Sequence, residues 1–480
     1  MNYQTPFSIA VAALLLSIST ARSQDPPMNL VIIQTDEHHF GTLGCYGGKI
    51  VGTPHIDSIA RQGVTCTAFY AATPVCSPSR ASFISGRYPQ KTPVVTNNIP
   101  LADSVVTFAE VLRRRGYATG FAGKWHLDGP GKPQWAPERQ FGFADNRFMF
   151  NRGHWKKLID TAKGPRIGAR NEKGQASYAV DGADEKTFST DWLASKAIDF
   201  INTNKDKPFC YYLSLPDPHG PNTVRAPYDT MYADVKVPIP ATLIRQPGQI
   251  PGWGKSANVN AAALRRIMPS YYGMVKCIDD NVGRILDELR KHDLMDHTMI
   301  VFTSDHGDLC GEHGRLNKGV PYEGSARIPF LVSCPGKLPT GTTVQEALST
   351  VDFFPTAMKL LGVSYDKKVD GRDASRLLAG TEEESLNDIA FLRSTPGQPW
   401  LCAVSARYKL VYSALDEPWL IDLQQDPGEV TNLFGKPGLQ DVARSMTGQL
   451  IEYTRQHQDE HARVPRIQAA MIKTVRPQDD

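Results

Sequence analysis

The sequence predicts an α/β architecture: a mainly parallel central sheet with helices on both faces, then a small α+β unit built on an antiparallel sheet. Three observations predict it. Short, nearly all-apolar runs recur at residues 29–34, 118–123, 209–215 and 298–303, as strands buried on both faces do. Helical periodicity lies between them, which makes consecutive strands parallel and sends the helices to the two faces. Beyond about residue 385 the alternation stops, and strand-like runs at 403–412 and 419–423 precede a helix at about 439–456.

The elements follow in order. The run 29–34 is the first strand and ends in Asp36-Glu37. Residues 55–63 read as a short helix and 64–70 as a second strand. The loop Thr73-Pro74-Val75-Cys76-Ser77-Pro78-Ser79-Arg80 comes next; its prolines hold the backbone irregular, and Ser79 is placed to cap a short helix over 81–85 that stops at Gly86. Asp103 is placed to cap a helix over 104–115 with Val105, Phe108 and Leu112 on one face. The strand at 118–123 ends in Lys124-Trp125-His126. Residues 129–187 lack periodicity and read as long loops, a lid or pocket wall. A helix at 191–203 leads to the strand 209–215, which ends in Pro218-His219-Gly220-Pro221. The stretch 261–291 is one long amphipathic helix whose stripe Tyr271, Met274, Val275, Ile278, Val282, Ile285 and Leu289 faces the core. The strand 298–303 ends in Ser304-Asp305-His306-Gly307, and its loop runs on to Lys318. A strand at 328–333, a helix at 352–361 and the small C-terminal unit complete the chain, which is expected to fray from Gln468.

Composition bounds the function. The chain has 480 residues, 41% hydrophobic and 21% charged, with a net charge of +3. That is an ordinary globular composition, and it argues against nucleic acid as a partner. The apolar run 7–17 is too short to span a bilayer. Small residues Ala21 and Ser23 and then Gln24-Asp25-Pro26-Pro27 follow it, so 1–23 reads as a secretory signal peptide despite the lack of a leading Lys or Arg. The expectation is an exported protein, periplasmic or secreted, with no membrane span. The boundaries expected for the mature chain are a first unit at 28–385 and a second at 386–467. The eight cysteines have no CxxC pair and no metal-finger spacing, and no disulfide pairing is assigned.

Four predicted strands thus end in chemistry: Asp36-Glu37, Lys124-x-His126, His219 and Asp305-His306. In open α/β sheets ligands bind outside the carboxyl ends of the strands. Each motif alone is more often surface decoration; the recurrence on one side argues for a site. Asp36, Glu37, Asp305 and His306 are a donor set for a hard divalent cation, Ca²⁺ or Mg²⁺, and the imidazole of His306 leaves Mn²⁺ or Zn²⁺ open as well. Lys124, His126, His219, Lys318 and Arg80 are the cations and nitrogens of a pocket for a tetrahedral oxyanion. Cys76, at a helix start beside Arg80, is placed to be an activated nucleophile or an anion-binding thiol.

The string Cys76-Ser77-Pro78-Ser79-Arg80, with Gly86-Arg87 after it, resembles the signature of the type I sulfatases of the alkaline phosphatase superfamily. Thr35-Asp36-Glu37, Gly123-Lys124-Trp125-His126, Pro218-His219-Gly220-Pro221, Ser304-Asp305-His306-Gly307 and Lys318 fall in that family's order. The tail stretches Arg407-Tyr408-Lys409-Leu410-Val411, Asp422-Leu423 and Asp426-Pro427-x-Glu429 are similar to its C-terminal subdomain. The resemblance implies an alkaline-phosphatase-like fold and hydrolysis of sulfate esters. It implies that a maturation enzyme oxidises Cys76 to formylglycine, whose hydrate attacks sulfur with help from a divalent metal held by Asp36, Glu37, residue 76, Asp305 and His306. Calcium is the family's preference. Arg80 would steady the formylglycine, and Lys124 and Lys318 would hold sulfate oxygens. His219, with Lys318, would protonate the leaving alcohol, and His126 would take a proton from the remaining hydroxyl and so expel sulfate. Glu37 departs from the family pattern, where this position is often Asp. Export and the family together imply a sulfated polysaccharide or oligosaccharide as substrate. The alternatives are a formylglycine-dependent phosphonate or phosphate ester hydrolase and a catalytically dead glycan-binding protein. His38, His39, Arg315, Trp400 and the 129–187 loops are the candidates for substrate specificity.

Overall fold

The structure, a computed structural model, describes residues 1, 27–255, 257–381 and 386–476. The expected signal peptide lies, beyond Met1, outside the described residues. In chain order the first unit contains β1 (Asn29–Asp36), α1 (Pro54–Arg61), β2 (Val64–Cys66), β3 (Phe69–Tyr70), α2 (Cys76–Ser85), α3 (Phe108–Arg114), β4 (Ala118–Lys124), β5 (Asp145–Phe150), β6 (Leu158–Thr161) and β7 (Gly164–Ile167). It continues with α4 (Ser189–Asn204), β8 (Phe209–Pro218), α5 (Ala261–Lys291), β9 (Thr298–Ser304), α6 (Glu323–Ala326), β10 (Phe330–Ser333), β11 (Thr342–Val344), β12 (Leu348–Ser349), α7 (Phe353–Leu361) and α8 (Ser375–Leu378). The second unit holds β13 (Ala390–Arg393), β14 (Trp400–Val404), β15 (Tyr408–Ser413), β16 (Trp419–Asp422), α9 (Gln440–His457) and α10 (Pro465–Val475).

Eight strands form the central sheet in the order β11-β2-β10-β9-β1-β8-β4-β5. Strand β10 runs antiparallel to both neighbours, and the other pairings are parallel. The apolar run of β1 explains its central place. Leu30 and Ile32 enter one core with Phe83, Phe108, Phe121 and Phe353, while Val31 and Ile33 enter the other with Trp192, Ile278 and Ile285. A strand that feeds two cores must be covered on both faces. Helices α2, α3 and α7 cover the first face, and α1, α4 and α5 the second. The stripe read along α5 is buried throughout.

The structure corrects several local expectations. Helix α2 begins at Cys76 itself, with Val75 extended before it. Pro78 is tolerated in its first turn, where no N–H is needed. Ser79 is no cap: its hydroxyl bonds the Asp305 carbonyl. Helix α3 is shorter than 104–115, because Thr107 and Glu110 form a capping box that fixes its start at Phe108. The second strand divides into β2 and β3. The stretch 129–187 contains an edge strand, β5, and the β6–β7 hairpin. Beyond Gln468 the chain stays helical in α10, held by the buried Met471.

The second unit is an antiparallel sheet, β13-β14-β15-β16, as the sequence predicts. One face packs on α9 and α10 through Leu401, Leu410, Tyr412, Leu450 and Ile467. The other packs on the first unit, where Trp400, Val411 and Trp419 meet Tyr70, Trp253 and Tyr322. Trp400 is therefore core, not a specificity element: it is 2% exposed. Lys409 crosses the seam fully buried, its Nζ 2.6 Å from Glu429, 2.8 Å from Glu323 and 2.7 Å from the Pro321 carbonyl.

Candidate active site

Strands β9, β1, β8 and β4 are neighbours in the sheet and parallel. Their carboxyl ends therefore lie side by side, and they deliver Asp305-His306, Asp36-Glu37, His219 and Lys124-His126 to one edge. Helix α2 meets this edge with Cys76 in its first turn, 2% exposed. Arg80, one turn on, ties the four strand ends together. Its Nε donates to Asp305 Oδ2 at 2.9 Å and its Nη2 to Asp36 Oδ2 at 3.3 Å. Its Nη1 donates to the Lys124 carbonyl at 2.8 Å and to Ser214 Oγ of β8 at 2.7 Å.

The Cys76 sulfur lies 3.2 Å from His306 Nε2, 3.7 Å from Lys124 Nζ and 4.0 Å from Asp36 Oδ1. Burial alone would raise the thiol's pKa, but Lys124 and Lys318 bring it well below its ordinary value. Burial also opposes ionisation of Asp36, yet Lys124, His219, Arg80 and His154 hold that carboxyl well below the usual range. Asp305 moves the other way, pushed up by burial and by Asp36 beside it.

Asp36, Cys76, Asp305 and His306 each bring one ligand atom to within 4.8 Å of the others. The His306 ring shows that this cluster suits a cation. Its Nδ1 donates to the Gly307 carbonyl at 2.9 Å, which leaves an Nε2 lone pair facing Asp305 at 3.5 Å and Asp36 at 3.8 Å. Acceptors turned on acceptors need positive charge between them. A proton on Nε2 supplies some: burial resists it, but Asp305 carries His306 up to about 9. Two buried carboxylates and an imidazole are a fitting set for a hard divalent ion.

Glu37, expected beside Asp36 in that set, points elsewhere. Its carboxylate meets His219 Nε2 at 2.9 Å and Lys318 Nζ at 3.1 Å. Burial opposes its ionisation, but those two partners hold it down to about 2. His219 Nδ1 donates to the Gly220 carbonyl at 2.9 Å, so Nε2 is the nitrogen turned to Glu37 and Lys318, whose Nζ is 2.8 Å away. His126 Nε2 lies 3.1 Å from Asn98 Oδ1 and donates to it. That leaves Nδ1 a lone pair, buried and without a hydrogen-bond partner among the described residues. Burial above all lowers His126 to about 4, so it is neutral near pH 7 and able to accept a proton.

His154 completes the cluster and has no counterpart among the residues read from the sequence. Its ring stacks on that of His219, with centroids 3.5 Å apart and planes 6° apart. Its Nε2 is 2.8 Å from Lys124 Nζ and 3.8 Å from Asp36 Oδ2. Burial, then Lys124, keeps it well below the ordinary histidine value. It sits in the 129–187 stretch, which has no periodicity to mark one residue above another. Two other candidates fall away from the reacting centre. His38 is fully buried between Thr35 and Thr42, and burial lowers it to about 3. His39 pairs with Glu312 at 3.2 Å on the wall of a separate 580 Å³ cavity.

The Sulfatase family model matches residues 28–363, and the model for the C-terminal region of N-sulphoglucosamine sulphohydrolase matches 311–456. The chain belongs to the sulfatase family. As a sulfatase it is a sulfuric ester hydrolase. It is 29% identical over 469 residues to an ulvan-active sulfatase of Formosa agariphila, covering 93% of this chain and 86% of that one. It is 25% identical over 533 residues to an N-acetylglucosamine-6-O-sulfatase of Bacteroides thetaiotaomicron, covering 94% and 90%. The phosphonate monoester hydrolase of Agrobacterium radiobacter shares the sulfatase's fold, with a TM-score of 0.73 at 24% identity over 90% of this chain and 97% of the other. No helix among the described residues is long and apolar enough to cross a membrane.

Proposed function

We infer that this sulfatase is exported and removes sulfate from a sulfated polysaccharide or its oligosaccharides. The observation that carries the reading is the ring of nitrogens, Lys124, His126, His219 and Lys318, around a buried helix-start cysteine. The ulvan and N-acetylglucosamine activities of two relatives support the carbohydrate class.

When present, formylglycine at position 76 would supply a hydrated aldehyde as nucleophile, and a Ca²⁺ or Mg²⁺ ion held by Asp36, Asp305 and His306 would polarise the sulfate oxygens. Glu37, one residue from Asp36, would join these ligands only by leaving its pairing with His219 and Lys318. The chain's own residues do the rest. Lys124 and Lys318 bind sulfate oxygens from two sides. His219 delivers a proton from Nε2 to the leaving alcohol oxygen, and Lys318 Nζ, 2.8 Å from that nitrogen, keeps a positive charge beside it. His126 receives a proton at Nδ1, because Asn98 fixes the other nitrogen as donor. Arg80 neutralises Asp36 and Asp305 on the side away from the sulfur.

Two measurements test the reading. The mass of the peptide spanning Cys76, from protein made in its native host, should be that of formylglycine. Fully matured protein should release sulfate from a panel of sulfated glycans and turn over an aryl sulfate faster than the matched aryl phosphonate. Faster phosphonate turnover would favour an ester hydrolase of the phosphonate type. Sugar binding without sulfate release would favour a dead glycan-binding protein.

A further inference from the structure

We propose that His154 is a positioning residue of the sulfate site, which aims the ammonium of Lys124 and holds the ring of His219. The proposal rests on the sulfatase reading above and on three contacts. Lys124 has three N–H donors and no acceptor. One goes to Asp36 Oδ2, and a second goes to His154 Nε2 at 2.8 Å. With two acceptors fixed, the tetrahedral ammonium has one direction left, and the atom there is Cys76 Sγ at 3.7 Å. A sulfate group bound at residue 76 would meet the ammonium from that direction. Without His154 the ammonium rotates about its bond to Asp36, and the third N–H has no set aim.

The second action is through the ring face. His219 is pinned at its edge by the Gly220 carbonyl and by Glu37. Those contacts fix its two nitrogens but allow the ring to rock about the line between them. His154, stacked at 3.5 Å with its ring nearly parallel, closes that motion. Proton transfer needs the donor nitrogen within hydrogen-bond reach of the leaving oxygen, so a rocking acid is a slower one. One side chain thus couples the group that holds sulfate to the group that protonates the alcohol.

The two actions separate by substitution. His154→Gln keeps an acceptor for Lys124 and loses the ring. His154→Phe keeps the ring and loses the acceptor. The first readout is inorganic sulfate affinity by calorimetry on unmatured, full-length protein, where no turnover intervenes. H154Q should bind sulfate as wild type does, and H154F about tenfold more weakly, the loss expected when a bound cation is no longer pre-aimed. The second readout uses matured protein and aryl sulfates whose leaving phenols differ in acidity. H154Q should show a steeper dependence of kcat/KM on leaving-group pKa than wild type, and H154F a dependence close to wild type. Thermal melts establish that each variant is folded; if one is not, the other against wild type still reports its own action. Equal losses in both variants, or no change in either, overturn the proposal. A wild-type protein that hydrolyses no aryl sulfate strikes the functional reading instead, and the calorimetric comparison still decides on His154.

Discussion

At the residue scale the site works by assigning protons to named atoms. Asn98 accepts from His126 Nε2, so His126→Ala should lower kcat by roughly 10²- to 10⁴-fold, the usual worth of a general acid or base. Steady-state turnover of an aryl sulfate measures it, and a loss under threefold would remove His126 from the reaction. The cation cluster gives a second prediction. Added Ca²⁺ at about 100 times its Kd should stabilise the protein by about 2.7 kcal/mol, by mass action alone. Denaturant unfolding with and without calcium tests it, and Asp305→Asn should abolish most of the gain. Much of this site was legible in the sequence, because Asp36, Lys124, His126, His219, Asp305 and His306 each follow an apolar strand and so inherit that strand's position. His154 and Asn98 were not legible. Both sit in irregular stretches, where spacing says nothing of which side chain turns inward. The pairing of Glu37 with His219 and Lys318 was also hidden, since adjacency to Asp36 in sequence says nothing of where the longer carboxylate reaches.

At the element scale the strands matter as rulers. Strand β4 pairs with β8 up to Gly123↔Ser214, one residue before Lys124. Gly123 has φ +107°, and a Cβ there would run into the Ser214 carbonyl oxygen. Gly123→Ala should therefore push β4 off β8, shift Lys124 and His126 together, and cost both activity and melting temperature. A variant with wild-type kcat and Tm would show that the pairing yields without consequence. The seam between the two units gives another test. Lys409 neutralises two buried carboxylates, Glu323 and Glu429. Lys409→Met leaves them facing each other and should cost about 3–5 kcal/mol in denaturant unfolding. Because the same ammonium holds the Pro321 carbonyl, three residues past Lys318, the variant should also weaken sulfate binding. Strand and long-helix identities were readable from apolar periodicity, while helix starts were not. Asp103 offered α3 a cap as good as the one used, and only the packed fold selects Thr107 there, starts α2 without a side-chain cap and releases Ser79 to the Asp305 carbonyl.

At the scale of the whole molecule, folding and acidity are linked through buried neutral histidines. His313 stacks on Tyr322 with centroids 3.5 Å apart, and burial, with Arg245, Lys409 and Arg315, lowers it from 6.5 to about 3. The unfolded chain binds a proton there below pH 6.5 and the folded chain does not until about pH 3. Stability from this group is therefore complete above 6.5 and is lost as pH falls, by about 1.4 kcal/mol per unit. His313→Gln should flatten the acid limb of stability between pH 6 and 4 relative to wild type, measured by denaturant unfolding at several pH values. The parallel sheet itself was foreseen, and the antiparallel β10 within it was not, because a four-residue buried strand carries no mark of its direction. The sheet order also sets a clock. Ser79 and Arg80, which lock α2 in place, bond to Asp305, and Asp305 is made 229 residues after Cys76 (305 minus 76). At roughly 5–20 residues per second of synthesis, Cys76 waits for about 10–45 s before its partner strand exists. Once β9 docks, the thiol is 2% exposed and no second protein can reach it. Any enzyme that modifies Cys76 must act within that interval, or must keep it open by holding the chain unfolded.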